Sequence, residues 1–73
     1  MKLVSNGTEV GILSTNTLPR IGDTITIVAT NNTQAVYTVT AIDYAFDSNG
    51  QPILYSEVET WFKNVTVTAT EGK

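Results

Sequence analysis

Apolar and polar residues alternate at period two along most of this chain, the pattern of strands that bury one face. From Thr24 to Thr30, Ile25, Ile27 and Ala29 alternate with Thr24, Thr26 and the exception Val28, so Ile25 and Ile27 are expected to face inward. From Thr33 to Phe46 the apolar set begins as Ala35, Tyr37, Val39 and Ala41. It then changes phase to Ile42, Tyr44 and Phe46. Such a slip predicts a β-bulge or sharp bend near Ala41 to Asp43, the device by which small barrels turn a corner. Near the end, Val65, Val67 and Ala69 alternate with threonines over Val65 to Thr70, leaving Glu71-Gly72-Lys73 as a frayed tail.

The connections are marked by turn formers. Asn6-Gly7 lies between Lys2 to Ser5 and Thr8 to Ser14, and this pair readily supplies the two positive φ angles of a type I′ hairpin. Ser14 to Asp23 is rich in turn residues and is expected to be the longest connection, with Gly22-Asp23 reversing the chain. Asn31-Asn32 and Asp47-Ser48-Asn49-Gly50 read as turns, with Pro52 at the exit of the second. Ile53 to Asn64 admits two readings. As a strand it turns Leu54, Val58 and Phe62 inward and Tyr55, Glu57, Glu59 and Trp61 outward. As a short helix over residues 56–63 it has Ser56 as cap and Glu57 and Glu59 in its first turn. The strand is favoured, because Val, Thr, Trp and Phe are indifferent helix formers.

Five or six short strands therefore imply an all-β, antiparallel fold, either a small SH3-like barrel or a two-sheet sandwich, as one domain over residues 1–73. Closure would remove the exposed strand edges.

Composition narrows the chemistry. Cysteine and histidine are both absent. No disulfide, thiolate metal site or imidazole base is available, and no cofactor, metal or catalytic group is expected. The net charge of −3 and four scattered cations, Lys2, Arg20, Lys63 and Lys73, make nucleic acid an unfavoured partner. No apolar run is long enough to span a bilayer, and a cytoplasmic location is expected. A chain of 73 residues buries a small core, so homo-oligomerisation is a reasonable expectation.

The leading candidate surface is acidic and aromatic: Tyr55, Glu57, Glu59 and Trp61, with Asp43, Tyr44, Phe46 and Asp47 on the preceding hairpin arm. Aromatic side chains give large contact area at low rotamer cost, and the carboxylates would steer a basic protein partner. The opposing reading places Trp61 and Phe46 in the core. Glu57 and Glu59 share one strand face but have no supporting catalytic group. Asp43, Asp47, Asn49 and Gly50 lack calcium-loop spacing and read as a plain hairpin turn. The threonines at 24, 26, 30, 66, 68 and 70 read as a soluble strand face.

The run Leu18-Pro19-Arg20-Ile21-Gly22-Asp23-Thr24-Ile25-Thr26-Ile27, then Val36-Tyr37-Thr38-Val39-Thr40-Ala41-Ile42 and a late Val65-Thr66-Val67, resembles small phage and prophage β-barrel proteins. Their pattern is roughly PRxGD, a short apolar strand, YxVxxV and a terminal strand. The likeness covers some 40% of the chain. It implies a fold, and because the shared positions are turn and core positions it carries no functional residue. Three functions remain open at this point. The first is a non-catalytic phage accessory protein that binds a protein partner, such as a host defence or regulatory factor that it inhibits. The second is a structural virion or tail module that assembles with itself. The third is a barrel that binds nucleic acid or a small ligand through Tyr37, Tyr44 and Tyr55.

Overall fold

The computed structural model describes residues 1–54 and 61–72, and the alternating segments form five strands. These are β1 (Lys2–Ser5), β2 (Thr8–Ile12), β3 (Thr24–Val28), β4 (Gln34–Tyr44) and β5 (Val65–Gly72). They make one mixed sheet in the order β2-β1-β5-β4-β3, curled into a half-barrel. The fold is all-β, and no helix occurs among the described residues. Two details depart from expectation. Instead of antiparallel pairing throughout, β1 and β5 run parallel, Leu3 opposite Val67 and Ser5 opposite Ala69. Among the described residues the sheet is also open, because β2 and β3 lie at its two ends in place of sealing a barrel.

The local turns follow from their residues. Asn6 (φ 55°) and Gly7 (φ 78°) adopt the paired positive angles of a type I′ turn. The Arg20–Asp23 turn is closed by the Asp23 amide donating to the Arg20 carbonyl at 3.0 Å. In return, Asp23 Oδ2 accepts from the Arg20 amide at 2.8 Å. Gly22 is the third residue of this turn, at φ 97°, and such a positive angle marks a type II turn. Gly22 and Asp23 then join β4, the first donating to the Val39 carbonyl and the second accepting from the Val39 amide. The Pro-Arg-Ile-Gly-Asp segment is thus a structural device for launching β3.

A Cβ at Gly22 would meet nothing within 4 Å, so the only obstacle to a side chain is the backbone angle. Gly22→Val is therefore expected to lower stability by about 1–3 kcal/mol. The urea midpoint should fall with an unchanged slope, while Gly11→Ala, at an ordinary φ with equally free space, should stay near the parent.

The inward side chains are Met1 and Leu3 beside β2, Val65, Val67 and Ala69 on β5, and Tyr37 and Val39 on β4. Ile25, Ile27, Ile42 and Phe62 pack against them, half-buried. The β4 phase slip has a physical cause. Val39 pairs with Ala69 and Ala41 with Thr68, so Thr40 is an extra residue, its hydroxyl donating to the Thr68 carbonyl at 3.2 Å. That bulge, one residue before the expected stretch, lets the inward set pass from the odd positions Tyr37 and Val39 to Ile42. A second irregularity leaves Val10 as the extra residue of β2. The Met1 ammonium donates to the Leu13 carbonyl at 2.9 Å, and burial holds its pKa below the ordinary value.

One further expectation changes. Glu71 and Gly72 are not frayed, because they pair with Tyr37 and Val36 and lengthen β5. Whether Ser14 to Asp23 is the longest connection turns on residues 55–60, which lie outside the described residues. The strand or helix expected over residues 56–63 falls largely outside the described residues, and Trp61, Phe62 and Lys63 form a bend and turn.

Candidate protein-binding surface

Past Tyr44, the last ladder partner of Val65, the chain overhangs the sheet. Asp47 turns it back. Its Oδ1 accepts from the Asn49 and Gln51 amides at 2.8 and 2.9 Å, its carbonyl accepts from Gly50, and its own amide donates to Gln51. This is the plain hairpin turn read in Asp47 to Gly50, and it places Phe46 opposite Pro52. Pro52 has no amide hydrogen, and the bridge does not need one, because the Asp47 and Ile53 amides on either side supply its hydrogen bonds.

Ala45 anchors the overhang. Its amide donates to the Asn64 carbonyl at 2.9 Å, and its carbonyl accepts from the Ile53 amide at 3.0 Å and from Asn64 Nδ2 at 3.1 Å. The Val65 amide donates to the Phe62 carbonyl, closing the turn that returns the chain to β5. Phe62 sits at φ 55°, an angle a bulky side chain adopts only when its surroundings hold it, and Phe62 packs against the core.

These bonds tie the Tyr44–Leu54 arm to the Phe62–Asn64 turn at the end of β4, so Tyr44, Phe46, Ile53, Leu54 and Trp61 lie on chain segments that meet there. Each is between 45 and 55% exposed. Taking about 200 Å² for a large side chain, the five together expose on the order of 500 Å².

The expected surface residues are distributed as follows. Tyr44, Phe46, Asp47 and Trp61 lie at this end and are exposed, and Asp43 is exposed as well. Asp43, however, is opposite Thr66 on the outer face of the sheet, while alternation turns Tyr44 the other way, so the two do not share one face. Tyr55, Glu57 and Glu59 lie outside the described residues. Leu54, expected inward, is exposed, and with Ile53 it adds aliphatic area that sequence periodicity assigned elsewhere.

Elsewhere the structure offers little chemistry. No group of three or more His, Cys, Asp or Glu positioned for a metal occurs among the described residues. An apolar groove of about 390 Å³ lies where the Leu13–Asp23 connection passes from β2 to β3, lined by Leu13, Leu18, Pro19 and Ile25. Its one acidic residue, Asp23, is tied to the Arg20 amide. Tyr37 is buried in the core, which removes it from the ring-stacking surface that nucleic-acid binding would need. Among the described residues no helix is long and apolar enough to cross a membrane.

No protein-family model, curated protein or solved structure matches the chain.

Proposed function

We propose that this chain is a non-catalytic accessory protein of phage type that binds a protein partner in the cytoplasm. Its contact set is Tyr44, Phe46, Ile53, Leu54 and Trp61. The observation behind this reading is that five large apolar side chains stand half-exposed, Tyr44 at the last ladder pair and the other four beyond it. Folding alone gives no reason to place them there, since burying each would have been favourable by about 1.5–3 kcal/mol. A partner with an apolar cleft supplies the missing burial.

The net charge of −3 gives the partner's chemistry. Asp47 beside the patch and Asp43 behind it favour a basic rim around that cleft, with Glu57 and Glu59 adding two charges to the same stretch of sequence. Inhibition of a host defence or regulatory factor is the kind of task such a surface suits, because occupying an apolar cleft needs no chemistry.

The test is capture from bacterial lysate with two immobilised chains side by side, the parent and Phe46→Ser/Trp61→Ala. A protein held by the parent and lost from the variant supports the reading. The same set of proteins on both would refute it.

A further inference from the structure

The two open edges of the sheet differ. The β2 edge carries Glu9 and the extra residue Val10, both standard protections against strand addition. The β3 edge, Thr24-Ile25-Thr26-Ile27-Val28, has no charge, proline, glycine or bulge, and its ladder with β4 is regular. Which backbone groups face outward follows from its bonds. The Val39 amide donates to Asp23 and the Ala29 amide donates to Thr33, so the odd residues of this segment bond towards β4. By alternation the amides and carbonyls of Thr24, Thr26 and Val28 point to the open side. Among the described residues no strand lies there, and all three residues are exposed.

We propose that β3 pairs antiparallel with β3 of a second copy, about a two-fold axis at Thr26. This surface is separate from the overhang, and the inference stands or falls independently of the proposed function. The register is self-complementary. Thr24 meets Val28 of the second copy and Thr26 meets Thr26, each pair exchanging two backbone hydrogen bonds through the outward groups. Between them Ile25 meets Ile27 of the second copy on the core side, joining two half-buried residues that already pack against each core. Charge does not oppose the pairing. Asp23, the nearest acid, meets Ala29, and Thr24, Thr26 and Val28 are neutral. The head-to-tail alternative, β3 on the β2 edge of a neighbour, has to accommodate Glu9 and the bulge, and would propagate into rings or fibres.

The experiment is sedimentation velocity of the full chain over a concentration series, with two variants. The parent is expected to move from monomer to dimer. Thr26→Pro removes an outward amide that β4 does not use, and Thr26→Lys sets two ammonium groups opposite each other. Both should weaken the dimer by on the order of tenfold or more, with the β-sheet circular dichroism and melting of a folded monomer. If the proline variant fails to fold, the lysine variant still decides the matter.

Register is read by cysteine in this otherwise thiol-free chain. Thr26→Cys should give a covalent dimer with a short bifunctional thiol reagent, since paired Cα atoms lie about 5.5 Å apart. Thr24→Cys should not, because the two copies of residue 24 are separated by roughly 14 Å along the strands. A parent that stays monomeric throughout, a species larger than a dimer, a dimer indifferent to both Thr26 changes, or equal crosslinking at 24 and 26 would each overturn the proposal.

Discussion

Leu3→Ala is expected to remove a large part of the chain's stability. Leu3 is fully buried, paired with Gly11 on β2 and with Val67 on β5, and it fills the inner face where the parallel and antiparallel pairings meet. Gly11 supplies no side chain to collapse into the space, so the cavity would persist. Leucine-to-alanine changes at such sites cost about 2–5 kcal/mol. A domain of this length holds about 4–11 kcal/mol in total. The urea midpoint should therefore fall by roughly a fifth or more. Thr38→Ala, on the exposed outer face of β4, should shift it little. Equal midpoints for the two variants would mean that the core lies elsewhere.

The second large effect is on binding. Phe46→Ser/Trp61→Ala should weaken the affinity for the captured partner by about thirtyfold or more for each side chain removed, because aromatic residues at the centre of an interface each contribute about 2 kcal/mol or more when truncated. Thermal stability should change by little, since both side chains are half-exposed and neither belongs to the buried set. This split separates the two sequence readings of Trp61 and Phe46. Core residues would lose stability on truncation, and contact residues lose affinity while the sheet remains. A control at Thr68, on the outer face away from the overhang, should leave binding intact when changed to Lys.

What the sequence made legible was local. Asn6-Gly7 and Gly22-Asp23 fix their turns because positive φ at those positions leaves few alternatives. The alternation of Ile25 and Ile27 identified β3, and the slip after Ala41 announced a bulge, found at Thr40, because an alternating strand can change phase only by gaining or losing a residue. Non-local facts were not legible. Nothing in the composition of Lys2 to Ser5 says that it lies parallel to Val65 to Gly72, because period two specifies a buried face and leaves the neighbour and its direction open. Glu71 and Gly72 look like a tail in sequence and are held by partners some 35 residues away.

The candidate surface was legible only in part. Tyr44, Phe46 and Trp61 drew attention as aromatics near carboxylates, but whether an aromatic is core or surface depends on what lies beneath it. Leu54 was assigned inward by counting on from a regular strand. Ile53 donates to Ala45, but neither Ile53 nor Leu54 belongs to a strand, so a count from a regular strand does not apply to them. Ile53 carried no signal, since an isolated aliphatic residue after a proline reads equally well as core. Asp43 and Tyr44 seemed to form one patch, yet neighbours on a strand point to opposite faces.

Trp61 is the sole tryptophan of the chain, and this permits a direct measurement. With 5-fluorotryptophan incorporated, the protein gives one fluorine resonance. The account predicts that in the free chain this resonance shows the solvent isotope shift of an exposed indole, and that saturating captured partner moves the resonance and suppresses the isotope shift. A resonance already shielded from solvent in the free chain, or one unchanged when the partner is bound, would contradict a binding surface at Trp61.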